Sequence, residues 1–389
     1  MRIAIITDGI VPYVLGGMQR HSRNLVINFS KLGVNVTLFH CVNDKVLPSE
    51  EEVNLSLFGK DVKKYIKVYS YYFPSSIRFP GHYFYNSKKY SNCIYKDIIE
   101  HVNEYDFIYA KGFTAWSLLK AKKNGKNIPN IGVNFHGYEM WQYAPSLKMK
   151  LKQYLFRPFV KWNNKYSDFI FSYGSKVTQI ISSIGVSNQK IIEIPSGIEK
   201  TWLRNTPITI NNMVRFLFIG RYERRKGIEE INIVLQKINF KNLNIEFHFI
   251  GPIPDSKKVK NLDNNVIYHG QIIEDDSIKS VIDCCDILIC PSYSEGMPNV
   301  ILEAMSRGLA VIATDVGANR QLVSNENGKL IKFDTGEILI ESLQSSILEL
   351  VSLEKSQLLR KKEASINKIT DFTFDKIAEM HISFFKQFF

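Results

Sequence analysis

Two successive sets of short apolar runs, separated by segments of helical character, constrain this chain more than any other feature. In the first half the runs fall at residues 3–7, 34–40, 107–111, 131–136, 169–173 and 191–195. In the second they fall at 215–220, 245–251, 266–269, 287–291, 310–314 and 329–332. They lack strict alternation, which is the pattern of strands covered on both faces. Helical segments between them imply crossover connections and a parallel, doubly wound sheet in each half. The expected fold class is therefore α/β, with two Rossmann-like domains in tandem. A length of 389 residues exceeds one typical core and agrees with two. The first domain is expected over 1–195 and the second over 196–371, with the boundary near Pro195-Ser-Gly-Ile198 and a polar stretch at 205–214. The segment 372–389 reads as an amphipathic helix, and the acidic stretch 49–53 as a surface loop.

The opening apolar run ends at Asp8, too soon for a signal peptide. No run of about 18 apolar residues is present to span a bilayer. The five cysteines are scattered and form no C-x-x-C pair, which argues against a disulfide framework and a zinc site. A cytoplasmic setting fits, with no metal and no cofactor expected. Charge is uneven: residues 1–195 carry 26 Lys+Arg against 13 Asp+Glu, a net of +13, and residues 196–389 carry 24 against 25, a net of −1. A basic half can face nucleic acid, an anionic membrane or an acidic substrate, or can simply serve solubility. No recognised nucleic-acid module accompanies it, so nucleic acid is not an expected partner.

Ligands of open α/β sheets sit beyond the carboxyl ends of the strands, so the loops after the runs are the places to search. The first contains Tyr13 and the pair Gly16-Gly17 at a helix start, where backbone N–H groups can approach an anion. That pair alone reads equally well as a flexible loop, and the G-x-G-x-x-G fingerprint of dinucleotide binding is absent there. The fourth run closes in Asn134-Phe-His136-Gly-Tyr-Glu139, where an imidazole can hydrogen-bond a sugar hydroxyl. The second half opens with Gly220-Arg221-Tyr-Glu-Arg-Arg-Lys226-Gly227. Its Arg221 offers a planar fork and Lys226 a point charge, suited to a diphosphate; a solvated basic turn is the plain alternative. The most specific stretch is Ser294-Glu295-Gly296-Met297-Pro298-Asn299-Val300-Ile-Leu-Glu303-Ala-Met. Pro298 suits the first turn of a helix and Gly308 its end. Glu295 is then in the loop, Glu303 on the helix, and the N–H groups near Asn299 point outward from its start.

These segments resemble glycosyltransferase family 4, the retaining GT-B enzymes. The resemblance runs through the G-G-M-Q-R-H opening, H-G-Y-E, G-R-x(4)-K-G, the E-x(7)-E core, Val311-Ile-Ala-Thr-Asp-Val-Gly-Ala318 and Phe372-Thr-Phe-Asp-Lys-Ile-Ala378. It implies two Rossmann-like domains facing a cleft, with the terminal helix packing back on the first. It implies that Gly16 and Gly17 approach the donor phosphates, that Gly220 belongs to the donor site, and that Arg221 and Lys226 clamp the diphosphate. Glu295 would meet hydroxyls of the transferred sugar, Glu303 the ribose, and His136 the anomeric centre. The backbone near Gly296, Met297, Pro298, Asn299 and Val300 would add donor contacts, and Ile272 would meet the base. Tyr13 and Glu139 are candidates for the acceptor. Enzymes that use a metal here commonly carry Asp-x-Asp; this chain has none, so Arg221 and Lys226 would take that task. Two departures stand out: Pro195-Ser-Gly-Ile-Glu199 where relatives often have Pro-Asn-Gly-Val-Asp, and Glu139 where many have Asp.

The donor so implied is a nucleotide sugar, a UDP-sugar first and a GDP-sugar second. The acceptor is a saccharide or lipid-linked saccharide of cell-surface polysaccharide or lipopolysaccharide assembly. Residues 147–165 interleave Lys148, Lys150, Lys152, Arg157, Lys161 and Lys165 with Leu151, Tyr154, Leu155, Phe156, Phe159 and Trp162, and 65–95 is also aromatic and basic. Such a helix suits an anionic membrane surface, at the inner face of the plasma membrane, or else is an ordinary surface helix with lysine stems over apolar neighbours. A nucleotide-sugar epimerase and a non-catalytic partner subunit are the alternative readings. The first would be expected to lack the combination of Arg221 and Lys226 with E-x(7)-E, and the second to have lost Glu295, Arg221, Lys226 or His136; all are present.

Overall fold

The computed structural model describes residues 1–388 except 44–45, 60–64, 76–80, 211, 241–242 and 261–264. Parts of the sequence segments 65–95 and 205–214, and residue 389, thus lie outside the described residues. In chain order the first elements are β1 (Arg2–Ile6), α1 (Gly17–Lys31), β2 (Asn35–Val42), α2 (Glu50–Phe58), β3 (Lys67–Tyr72), α3 (His82–Ile98) and β4 (Phe107–Lys111). There follow α4 (Trp116–Lys123), β5 (Asn130–Asn134), α5 (Leu147–Tyr166), β6 (Phe169–Ser172), α6 (Lys176–Ser183) and β7 (Ile191–Glu193). Then come β8 (Val214–Ile219), α7 (Ile228–Lys237), β9 (Ile245–Ile250), β10 (Val266–Gly270), α8 (Asp275–Asp283), β11 (Ile287–Cys290) and α9 (Asn299–Ser306). The chain finishes with β12 (Ala310–Thr314), α10 (Asn319–Leu322), β13 (Gly328–Ile331), α11 (Gly336–Val351), α12 (Lys355–Ile369) and α13 (Phe374–Phe385).

The strands form two sheets, ordered β3-β2-β1-β4-β5-β6-β7 and β10-β9-β8-β11-β12-β13. Every described pairing is parallel. β4 and β12 are buried at every residue, and their sequences are apolar up to the terminal Lys111 and Thr314. The chain divides into two compact units: residues 1–136, 152–196 and 374–389, and residues 137–151 with 197–373.

Three local features differ from the sequence expectation. The stretch at 49–53 is a helix start, not a loop: Ser49 and Glu52 form a reciprocal capping box, and Val53 is fully buried. The aromatic segment from residue 65 contains an edge strand, β3, whose Lys-Val-Tyr-Ser-Tyr-Tyr sequence is half exposed, followed by α3. β5 stops at Asn134, so His136 lies beyond the strand in a left-handed conformation, with φ of 57°.

In the first unit, Ile3, Ile5, Phe107 and Phe171 of the sheet pack with Phe29 of α1 and with Phe374, Ile377 and Phe385 of α13. The Phe385 ring lies 4.5 Å from Phe107 and 5.9 Å from Phe29 between centroids. Burying each such ring stabilises by about 1.5–3 kcal/mol. In the second unit, Phe216 and Phe247 stack at 4.8 Å over a core that α7 and α11 complete with Ile231 and Leu343. There α12 sends Lys362, almost wholly buried, to Asp286 at 2.6 Å. Among the described residues no helix is long and apolar enough to cross a membrane.

Candidate active site

Each sheet has one place where its strand order reverses: between β1 and β4 in the first, and between β8 and β11 in the second. Loops leaving neighbouring strands in opposite directions open a crevice there. In the second unit these loops are 220–227, after β8, and 291–298, after β11.

The two loops meet closely. Gly227 has φ of +69°, and a Cβ there would lie 2.1 Å from the carbonyl oxygen of Pro291, so a side chain is excluded. Its N-terminal neighbour Lys226 consequently reaches across, and its Nζ donates to Glu295 Oε1 at 2.6 Å. Arg225 approaches the other carboxylate oxygen at 3.8 Å and Glu139 at 3.6 Å. Burial pushes the Glu295 carboxyl upward, but Lys226 and Arg225 outweigh it and hold the group below its ordinary value. Glu295 is therefore an ionised, acceptor-only group at neutral pH. An ammonium has three N–H donors, so Lys226 retains two beyond the one given to Glu295.

The backbone of Glu295 is fixed as firmly as its side chain. Gln142 donates to its carbonyl at 2.6 Å and accepts from its N–H at 3.2 Å. On the other side Gly317, at φ +54°, leaves no space for a Cβ, which would come within 2.3 Å of the Glu295 carbonyl oxygen and 2.4 Å of the Gly296 oxygen. Ala318 N–H donates to Gly296 O at 2.7 Å. Met297 is buried, Pro298 caps α9, and Asn299 and Val300 begin it half-buried. Glu303, one turn on, is buried on α9. The structure thus assembles Lys226 and Glu295 directly, with 296–300 and Glu303 continuing from them.

Other candidates stand apart. Gly220 follows β8, with its N–H on Ile250 O at 2.9 Å. Arg221 is 73% exposed and paired with Glu223 at 3.1 Å, not with Glu295. Ile272 follows β10, the edge strand two places from β8. Arg224 is engaged by Glu230, at 2.7 Å, and lies over the Tyr293 ring. Tyr293 in turn donates to Glu230 at 2.7 Å. Arg225, Gln142 and the Glu230–Tyr293 pair are absent from the sequence reading. The run of three adjacent cations, Arg224 to Lys226, was the one signal for Arg225, but nothing local says which of them turns toward Glu295. Gln142 lies 153 positions from its partner.

In the first unit the loop after β1 carries Asp8, half-buried Tyr13 and exposed Gly16 and Gly17 at the start of α1. Burial raises the Asp8 carboxyl to about 6, and Gln19 donates to it at 3.3 Å. His136 accepts or donates at Nδ1 with the Tyr173 hydroxyl at 2.7 Å, while its Nε2 is buried without a hydrogen-bond partner. Burial, and then the Lys111 charge, push the imidazole well below its usual range. A depression of about 480 Å³ near Arg2, Asn35 and Lys67 lies at the amino ends of β1–β3, opposite these loops. Among the described residues no three His, Cys, Asp or Glu side chains gather to hold a metal ion.

Comparison with known proteins agrees with this geometry. Residues 15–202 match the model described as Glycosyltransferase Family 4, and residues 214–352 that of Glycosyl transferases group 1. The putative teichuronic acid biosynthesis glycosyltransferase TuaC of Bacillus subtilis (strain 168) is 29% identical over 127 residues, 33% of this chain and 31% of the relative. The UDP-Gal:alpha-D-GlcNAc-diphosphoundecaprenol alpha-1,3-galactosyltransferase of Escherichia coli is 39% identical over 67 residues, 17% of each chain. The apo lipopolysaccharide outer core galactosyltransferase WaaB superposes with a TM-score of 0.71 at 19% identity, covering 100% of both chains. The first three curated relatives are matched over only 31%, 44% and 61% of their length. The two parallel α/β units are those of the GT-B fold.

Proposed function

The chain belongs to glycosyltransferase family 4, and from that premise we propose that it is a retaining, metal-independent glycosyltransferase of cell-surface polysaccharide or lipopolysaccharide assembly. It moves a sugar from a nucleotide-diphosphate sugar, UDP-linked in the first instance, to a saccharide or lipid-linked saccharide. The observation that carries the reading is the Lys226–Glu295 pair at the switch point of the second sheet, beside the start of α9.

Loss of a nucleoside diphosphate builds negative charge on phosphate and positive character on the sugar. The two remaining Lys226 donors, Arg221 and the first N–H groups of α9 at Asn299 and Val300 meet that negative charge. The Glu295 carboxylate, held ionised, accepts from hydroxyls of the transferred sugar. Glu303 accepts from the ribose, Ile272 meets the base, and Gly16 and Gly17 approach the phosphates. His136 faces the anomeric centre with Nε2, and Tyr13 and Glu139 serve the acceptor. With cations in these places the phosphate charge is met without a metal ion, and front-face departure retains the configuration. The wall of Lys and exposed apolar side chains on α5 supports an acceptor met at an anionic membrane surface. That helix has six basic and no acidic residues, and Leu147 is 86% and Leu151 66% exposed. The name of the E. coli relative supports a UDP-sugar donor and a lipid-linked acceptor, and that of the B. subtilis relative a polysaccharide product.

A thermal-shift panel of UDP, GDP, ADP, CMP and dTDP, with and without EDTA, tests the donor site. One diphosphate should raise the melting temperature of the wild type regardless of EDTA, and raise that of Arg221→Ala less. If no nucleotide shifts the wild type at millimolar concentration, the donor assignment fails and a non-catalytic partner subunit becomes the better account.

A further inference from the structure

Lys111 ends β4 at the switch point of the first sheet and is 0% exposed. A lysine so buried would ordinarily be paired with a carboxylate. Its partners are instead neutral: His21 Nδ1 at 3.1 Å, the Tyr109 hydroxyl at 3.1 Å and Asn134 Oδ1 at 3.4 Å. Burial pushes the ammonium well below the usual lysine range, and only the charge of Asp8 opposes this. The other titratable groups around it are His21, Tyr109, His136, Tyr173 and His381.

Two routes lead from this amine to His136. Asn134 Oδ1 also accepts from the His136 backbone N–H at 3.1 Å, while its Nδ2 donates to Phe171 O at 3.1 Å. Turning the amide over would set its NH2 against the His136 N–H and its oxygen against Phe171 O, and the Lys111 donor on Oδ1 adds to the contacts that hold it this way round. That amide anchors a residue held in the left-handed region, at φ of 57° without being glycine, a conformation that persists only where its surroundings over-determine it. The second route is through His21, whose ring stands edge-on to that of His136 at 6.1 Å. Lys111 bonds Nδ1 of His21 at 3.1 Å and so ties down that edge of the ring.

We propose that Lys111 is a positioning residue for His136, bracing both the Asn134 amide that anchors its turn and the His21 ring that backs its imidazole. The consequence for turnover rests on the proposed role of His136; the bracing itself does not. Tyr173 fixes the ring at Nδ1, Asn134 the backbone and His21 the edge, leaving Nε2 to meet a ligand.

The test compares imidazole nitrogen spectra of wild type, Lys111→Met and Lys111→Gln, with His21→Gln and His136→Ala for assignment. Removal of the amine should shift both the His21 and His136 resonances. It should lower kcat about 10–100-fold with the donor that the wild type uses from a UDP- and GDP-sugar panel. UDP or GDP affinity should stay within about twofold, a split that general loss of structure would not produce. Unmoved His136 resonances in folded variants overturn the proposal. So does an unchanged kcat where His136→Ala is impaired. If both substitutions prevent folding, the wild-type spectra decide between pH 6 and 8: single fixed tautomers support the brace, and two freely titrating, mixed-tautomer rings refute it. Full activity of His136→Ala would remove the catalytic reading of His136, while the spectra would still report the brace.

Discussion

Replacing Lys226 by Met isolates what its contact with Glu295 contributes. The two charges lie 2.6 Å apart, with the lysine side chain 17% and the glutamate side chain 7% exposed. With an effective dielectric constant near 20, the attraction is roughly 6 kcal/mol before desolvation is counted. Removing one partner of such a pair strands the other, at about 3–5 kcal/mol for full burial. Arg225 remains at 3.8 Å, so about 3 kcal/mol is expected here. The sign with pH follows from the direction of the shift. In the wild type the Glu295 carboxyl is held below its ordinary value, so it stabilises above the unfolded value and that contribution is lost as pH falls through the folded one. Without Lys226 burial dominates, and the unpaired carboxylate costs stability at neutral pH. Urea unfolding should therefore show the largest loss near pH 7.5 and a smaller one near pH 4. Adding Glu295→Gln to Lys226→Met should recover most of it. Additive losses, or a loss independent of pH, would refute the reasoning. In the proposed enzyme Lys226→Met should also cut kcat/KM by about 100–1000-fold.

Gly317→Ala forces a left-handed alanine and a Cβ against the Glu295 and Gly296 carbonyls, so UDP or GDP should lose at least about tenfold in affinity by calorimetry; unchanged binding would free the Glu295 loop from this constraint. Asp8, raised to about 6 by burial, favours the folded state in its protonated form, and its contribution falls as pH rises from the unfolded value through 6. Asp8→Asn should accordingly raise the melting temperature at pH 7.5 and leave it unchanged near pH 3.5. Lys362→Met should destabilise by about 3–5 kcal/mol by leaving Asp286 buried and unpaired, and Asp286→Asn on top should restore part of it in denaturant titrations. Leu151→Glu with Leu155→Glu should abolish co-sedimentation with anionic vesicles, provided the wild type binds them and not neutral ones.

The sheets were legible because their strands are buried on both faces, and every run named in the sequence overlaps a strand. β3 was not, because an edge strand of Lys, Ser and tyrosines carries no unbroken apolar run. The Glu50 helix was missed although its Ser-x-x-Glu signature is local and readable. At the site, Glu295 and Lys226 were named from motif spacing, and the structure puts them in contact. Their supports are another matter. Gln142 and Glu295 are 153 positions apart, and Lys111 and His21 are 90 apart, so sheet topology alone brings them together. Arg221 shows the converse: the motif singles it out, yet it stands exposed on Glu223 while its neighbour Arg225 turns toward Glu295.

Because α13 belongs to the first unit, the order in which the ribosome delivers residues matters. Phe107, Phe169 and Phe171 emerge early, but the rings of Phe384, Phe385 and Phe388 that complete their packing follow the whole second unit. At about 5–20 residues per second, the intervening 177 positions, 197–373, take roughly 9–35 s to synthesise. For that interval the nascent first unit presents an open aromatic face. It is a natural target for holding chaperones, and a chain stalled or truncated before residue 374 would be released with that face still bare.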